Sequence, residues 1–235
     1  MTQAELYIEK YKTLEKVVRD TYGLNYADSI SYFLTRQERF NKYKEDIRYC
    51  QEVRNWLQHN KKVNGQFAIT PNDAVLQFID ALIVKVQNRP RCIDAAVKIE
   101  SVYTETLEGS VKSTIAQMRQ RRFAHIPIVR NGVVIGVFDE NSVFNYLAEE
   151  HRVCIDEALT FGEIEKYLRL DDREMEIFEF VPCHTYLDEL EERFEKAFHQ
   201  GKRIGMAFLT ADGQRTSPLK GIVTAWDIIA ADSAG

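Results

Sequence analysis

The stretch GIVTAWDII at residues 221–229 aligns with GVFDENSVF at residues 136–144 when their first glycines are superposed. In each stretch an apolar run typical of a strand passes directly into a run with helical spacing. The same order of helix, strand, turn and strand precedes both stretches. The first turn is Asn131-Gly132, the strongest short-range signal of a β-hairpin, whereas the second turn runs from Ala211 to Pro218 and is longer. This repeat predicts a tandem pair of β-α-β-β-α units over about 99–235.

The first 98 residues have a different composition. They carry 16 Lys and Arg against 12 Asp and Glu, and only two of the eleven glycines, whereas the remaining residues are strongly acidic. Apolar residues recur at three- and four-residue steps over 3–22, 36–61 and from Pro71 to Pro90, with a short helix expected at about 26–34. Gly23 is expected to end the first helix and Thr70 to cap the last one. The fold class is therefore α+β, with an N-terminal helical bundle followed by the tandem pair.

The composition of the chain argues against several classes of protein. The longest apolar run, Ala74 to Val86, is interrupted by Gln77, Asp80 and Lys85, and the N-terminus has no signal-peptide core. These observations argue against a membrane or secreted protein and favour a cytoplasmic one. The four cysteines are scattered without metal-ligand spacing, so we expect reduced core thiols and no metal site; they are Cys50, Cys92, Cys154 and Cys183.

Residues 221–227, Gly-Ile-Val-Thr-Ala-Trp-Asp, resemble the signature of CBS domains, and His125-Ile126-Pro127-Ile128-Val129 resembles the other recurring segment of that family. CBS domains usually occur in pairs. The resemblance therefore implies a first repeat at about 99–155, a linker at about 156–174 and a second repeat at about 175–235.

The residues of the signature have a chemistry of their own. Thr224 is expected to open a helix whose free N–H groups attract phosphate. Asp227, one turn later, places a carboxylate where it can accept hydrogen bonds from the two hydroxyls of a ribose. The alternative is that Thr224 only caps the helix and that Asp227 only complements its dipole.

The resemblance implies that the ligand is an adenosyl compound: AMP, ADP, ATP or S-adenosylmethionine. Its adenine would lie between Ile222 and Ile204, and Arg203, with Lys202 beside it, would meet the phosphate. No other cofactor is expected. The first repeat departs from the pattern, because Asp139 replaces the Thr and Ser142 replaces the Asp. A carboxylate at the N-terminus of the helix would repel phosphate. The first site is therefore expected to be degenerate, that is, to have lost nucleotide binding.

In the N-terminal region, Arg54-Asn55-Trp56-Leu57-Gln58-His59 resembles the motif of HEPN domains in which four to six residues separate an Arg from a His. HEPN domains are small helical bundles. Residues 1–98 are therefore interpreted as a HEPN-like bundle. Several HEPN families are metal-independent endoribonucleases with composite sites across a dimer, while others are inactive partners. In an active member, His59 would move a proton and Arg54 would hold phosphate oxygens. The alternative is that Arg54 pairs with Glu52 or with a carboxylate on a neighbouring helix, and that His59 only complements the helix dipole.

Together these patterns predict a cytoplasmic regulatory protein, a homodimer, that senses an adenine nucleotide through its CBS pair and uses the helical bundle for dimerisation or as an effector. The alternative function is a nucleotide-regulated endoribonuclease that uses Arg54 and His59, with RNA as its partner. Whether the protein is an enzyme depends on which of these holds.

Overall fold

The computed structural model describes residues 1–60, 62, 64–171 and 175–234. The chain forms two compact units, Met1–Arg89 and Pro90–Gly235. The division lies nine residues before the boundary expected at about 98, because Val97 and Lys98 form a strand that pairs with Ile222 and Gly221 in the second unit.

The first unit is helical. Its α-helices are α1 (Gln3–Tyr22), α2 (Ile30–Leu34), α3 (Lys44–His59) and α4 (Asp73–Gln87), and a 3-10 helix, Glu38–Tyr43, leads into α3. The helix expected over 36–61 is thus a 3-10 turn followed by α3, and its predicted last residue, 61, lies outside the described residues.

The ends of the helices follow from local chemistry. A capping box of Thr2 and Glu5 starts α1, and Gly23 ends it with a left-handed backbone (φ 67°), as expected. The prediction of Thr70 as the cap of α4 is wrong. Asn72 is the cap, and its side chain accepts a hydrogen bond of 3.1 Å from the N–H of Val75.

The second unit is mixed α and β. Its helices are α5 (Cys92–Ala95), α6 (Val111–Arg121), α7 (Glu140–Glu149), α8 (Leu187–His199) and α9 (Ala225–Ala234), with 3-10 turns at Ile99–Ser101 and Gly162–Tyr167. Its strands are β1 (Val97–Lys98), β2 (Ile126–Arg130), β3 (Val133–Phe138), β4 (Glu176–Pro182), β5 (Arg203–Thr210) and β6 (Gly221–Val223). The α+β class with N-terminal helices is confirmed.

The strands form a four-stranded sheet and a separate hairpin. The order in the sheet is β1-β6-β5-β4, with β4 and β5 parallel and the other neighbours antiparallel. In the hairpin of β2 and β3, Asn131 and Gly132 adopt positive φ angles of 53° and 78°, as an Asn-Gly turn requires. The sheet therefore brings β1, from before the first repeat, beside β6 of the second.

The two aligned glycines of the repeat share a structural role. A Cβ atom on Gly136 would lie 2.6 Å from the carbonyl oxygen of Leu168, and one on Gly221 would lie 2.8 Å from that of Val97. Each glycine thus lets a backbone carbonyl approach the strand more closely than any side chain permits.

The cysteines divide into two groups. Cys50 and Cys92 are buried, whereas Cys154 is exposed and Cys183 is half-buried. The expectation of four core thiols is therefore wrong for Cys154.

Among the described residues, no helix combines the length and the apolar character needed to cross a membrane.

Candidate functional site

The second unit contains a cavity of about 840 Å³ whose walls come from both repeats. Strands β5 and β6 and the beginning of α9 form one side, and segments around residues 101–103 and 122–127 contribute to the rest. The five residues expected to bind ligand all line this cavity: Arg203, Ile204, Ile222, Thr224 and Asp227.

The first turn of α9 contributes polar groups to the cavity. One carboxylate oxygen of Asp227, Oδ2, accepts two hydrogen bonds from Thr224, one from its backbone N–H and one from its hydroxyl, both 2.7 Å long. The carbonyl of Thr224 in turn accepts from the N–H groups of Asp227 and Ile228. Asp227, in the first turn of α9, thus accepts from the residue that precedes the helix, and these bonds hold its carboxylate in place at the edge of the cavity.

The apolar walls come from the sheet and from the first repeat. Ile204 is buried and Ile222 is half-buried, on two strands that pair with each other. Tyr103 and Phe123 also line the cavity and stack with ring centroids 6.4 Å apart. These two aromatic residues were missed by sequence reasoning, because no local motif marks them. Tyr103 reaches the site because β1 pairs with β6, which brings the segment after β1 to the cavity.

The cavity has a cationic side. The side chain of Arg203 is 71% exposed, and its Nε donates a 2.8 Å hydrogen bond to Oε1 of Glu176. Arg122 and His199 line the same cavity. Lys202, expected beside Arg203, instead borders a second cavity of about 1030 Å³.

Glu176 borders both cavities and is almost fully buried. Burial raises the pKa of its carboxyl, but the hydrogen bond and positive charge of His125 and the Arg203 guanidinium outweigh that effect and hold the pKa below its ordinary value. The carboxylate form of Glu176 therefore fixes the orientation of Arg203.

The N-terminus of α7 in the first repeat differs from the N-terminus of α9 in the second. Asp139 is buried and caps α7, and its Oδ1 accepts from the N–H of Ser142 at 2.8 Å and from the Ser142 hydroxyl at 2.9 Å. The protein's own carboxylate thus occupies the position that a phosphate would take at this helix end. That the first site is degenerate stays a prediction.

The candidate catalytic pair lies in the first unit. Arg54 forms a 3.2 Å salt bridge with Glu15 of α1, and its Nε is buried without a hydrogen-bond partner among the described residues. His59 is exposed in the last turn of α3. Five positions along an α-helix correspond to roughly 140° around its axis, so the two side chains lie on different faces of α3. The carboxylate partner on a neighbouring helix, named as the alternative for Arg54, is Glu15.

Comparison with known proteins confirms a CBS domain in the second unit. Residues 98–149 match the model of the CBS domain family. Among curated proteins none matches the chain.

The chain is also similar to solved structures. A hemolysin-like protein containing a CBS domain from Oenococcus oeni PSU is 15% identical, with 63% of this chain and 93% of that chain covered at a TM-score of 0.41. CBSX2 in complex with AMP is 10% identical, with 62% and 97% covered at a TM-score of 0.44. The CBS domain of the bacterial CNNM/CorC family Mg²⁺ transporter in complex with ATP is 18% identical, with 61% and 87% covered at a TM-score of 0.42.

Proposed function

We propose that the protein is a regulatory sensor that binds an adenosyl ligand, of the AMP, ADP, ATP or S-adenosylmethionine type, in the 840 Å³ cavity of its second unit. The observation that carries the proposal is that all five residues selected from the sequence line this one cavity. Its volume lies within the roughly 300–1,000 Å³ typical of small-molecule sites.

The hydrogen bonds at the start of α9 assign a role to each polar group. Oδ2 of Asp227 already accepts two hydrogen bonds from Thr224. Oδ1 is therefore the oxygen that would accept from the ribose hydroxyls. The Thr224 hydroxyl already donates to Asp227. A phosphate would therefore be bound mainly by the first backbone N–H groups of α9 and by the guanidinium of Arg203.

The apolar groups would hold the base. Adenine is flat and would lie between Ile204 and Ile222 of the sheet, in the same cavity that Tyr103 and Phe123 of the first repeat line. A ligand bound in this way contacts both repeats. Binding would then stabilise their packing against each other, which is how a pair of CBS repeats in this chain would act as a sensor.

The helical unit would transmit the signal, as a dimerisation or effector module of a homodimer. This part of the proposal is motivated by the joining of the two units in one chain. It predicts that ligand changes the hydrogen exchange of amides in residues 1–89. Identical exchange of the helical unit with and without a saturating ligand would remove this role.

A thermal-shift panel tests ligand binding. Wild type, Asp227→Ala and the control Glu192→Ala are compared with AMP, ADP, ATP, S-adenosylmethionine and cyclic dinucleotides. Glu192 is an exposed carboxylate of α8 that does not line the cavity. A ligand at 100 times its dissociation constant adds roughly 2.7 kcal/mol to the free energy of unfolding.

The proposal expects a shift in wild type and in Glu192→Ala that is lost in Asp227→Ala. Stabilisation of wild type by none of the compounds would overturn it. Equal stabilisation of all three proteins would place the binding site elsewhere.

A further inference from the structure

Three metal-ligating side chains meet beside the cavity, from three separate parts of the second unit. His125 directly precedes β2, Asp139 caps α7, and Glu176 is the first residue of β4. One imidazole nitrogen and one oxygen from each carboxylate all lie within 4.8 Å of one another. Separations of 14 and 37 residues along the chain explain why no ligand spacing is visible in the sequence.

The cluster is buried and well oriented. The side chain of Glu176 is 6% exposed, and Asp139 is 3% exposed. Oε2 of Glu176 lies 3.0 Å from Nε2 of His125, while Oε1 is held by Arg203. The His125 ring is further fixed by an edge contact with Phe178, with ring centroids 5.6 Å apart.

The distances suit a metal ion. Two ligands about 2.1 Å from a tetrahedral ion lie about 3.4 Å apart, so the 3.0 Å hydrogen bond between Nε2 and Oε2 would lengthen by only about 0.4 Å when an ion replaces its proton. Arg203 on Glu176 and Ser142 on Asp139 supply the outer-shell hydrogen bonds that orient ligating carboxylates in metalloproteins.

The charges also favour a cation. Two carboxylates lie close together and away from water, and their mutual repulsion adds to the contacts that Glu176 makes with Arg203 and His125 and that Asp139 makes with Ser142. A divalent ion between them would reduce that repulsion. His125 and Glu176 line the cavity, so a further coordination position would be open to water or to a small ligand.

We propose that His125, Asp139 and Glu176 bind one divalent transition-metal ion, with Zn²⁺ as the best match to an imidazole and two carboxylates. This site assigns a function to the carboxylate of Asp139, the residue that departs from the signature in the first repeat. The proposal is independent of nucleotide binding.

Metal binding to the full chain tests the proposal. After removal of metal with a chelator, Zn²⁺ is measured by equilibrium dialysis and elemental analysis, and Co²⁺ by its visible absorption. We expect one ion per chain, with the ligand-field bands of Co²⁺ and without the charge-transfer band that marks thiolate ligands.

Conservative variants identify the ligands. Asp139→Asn retains an oxygen that can cap α7, and Glu176→Gln retains an oxygen that can accept from Arg203. Substitution of an outer-shell residue typically weakens metal binding roughly ten- to hundredfold. Each of these variants changes a ligand itself and is expected to weaken Zn²⁺ binding at least as much. The control Cys154→Ser, which removes the exposed thiol, is expected to bind metal as wild type does.

Three outcomes would overturn the proposal. The first is the absence of Co²⁺ absorption in wild type at millimolar metal, which needs no variant and therefore does not depend on how the variants fold. The second is unchanged binding in folded Asp139→Asn and Glu176→Gln, with folding checked by circular dichroism. The third is binding that is lost in Cys154→Ser.

Discussion

A single carboxylate oxygen of Asp227 accepts both the backbone N–H and the hydroxyl of Thr224, at 2.7 Å each. The pair therefore closes the start of α9 and at the same time fixes a charged group at the edge of the cavity. The same two residues stabilise the fold and belong to the proposed ligand site. Substitutions that keep or remove the Thr224 hydroxyl measure how much it contributes to the free energy of unfolding.

Thr224→Val is expected to lower the free energy of unfolding by about 0.5–2 kcal/mol, because it removes the hydroxyl donor to Asp227 at a helix start. Thr224→Ser keeps that donor and is expected to change stability by only a few tenths of a kcal/mol. Urea unfolding of the three proteins checks this. Equal losses in the Ser and Val variants would show that the hydroxyl contributes nothing to stability.

Gly221→Ala and Gly136→Ala are each expected to destabilise the protein by about 1–3 kcal/mol. In both, the new Cβ would lie less than 3 Å from a backbone carbonyl oxygen, of Val97 or Leu168, which a side-chain movement cannot relieve. Thermal and urea unfolding give the measurement.

Gly162→Ala is the matched control for these glycines. Its Cβ would meet its nearest neighbour, the carbonyl oxygen of Leu107, at an ordinary 3.4 Å. The control is expected to change stability little. A loss in Gly162→Ala as large as in the other two would show that the close carbonyl approach is not its cause, since backbone entropy alone favours Ala over Gly.

The thiols are expected to react in two classes. Burial raises the pKa of Cys50 to about 11 and that of Cys92 to about 12, so both are protonated and inaccessible at pH 8. Cys154 is exposed and Cys183 half-buried. Ellman's reagent should therefore titrate Cys154 first and Cys183 next in the native protein, and all four thiols only after denaturation.

Single substitutions to serine identify each phase of that reaction. Cys154→Ser should remove the fastest phase, whereas Cys50→Ser should leave the native reaction unchanged. Rapid reaction of four thiols in the native state would contradict the burial of Cys50 and Cys92.

Features encoded by neighbouring residues were predictable from the sequence. The Asn131-Gly132 turn and the end of α1 at Gly23 are examples, because each depends on residues close in the chain. The cap of α4 was misplaced by two residues, since Thr70 and Asn72 are both good caps and only the packed helix selects between them.

Features that depend on distant pairing were not predictable. The sheet places β1 beside β6, and only this pairing brings Tyr103 to the cavity that Thr224 and Asp227 define. The cluster of His125, Asp139 and Glu176 depends in the same way on the packing of three separate segments. Periodicity reports which face of an element is buried but not which element covers it.

The salt bridge between Arg54 and Glu15 separates structural from catalytic roles in the helical unit. Arg54→Ala removes a partly buried ion pair that joins α3 to α1, and we expect it to lower the free energy of unfolding by about 1–2 kcal/mol. Glu15→Gln should lower it by a smaller amount, because an amide oxygen can still accept from Arg54. His59→Ala lies at an exposed helix end and should change stability by less than about 0.5 kcal/mol.

Because we expect His59→Ala to keep its fold, a loss of RNA cleavage in this variant can be assigned to the side chain, whereas a loss in Arg54→Ala could also come from unfolding. Purified wild type and His59→Ala are incubated with mixed RNA in the presence of a chelator, and each is assayed with and without the nucleotide that gives the largest thermal shift. A regulatory helical unit predicts identical RNA profiles for the two proteins, and any cleavage common to both would come from a contaminant. Cleavage by wild type that disappears in folded His59→Ala would overturn the regulatory role and establish this residue as catalytic.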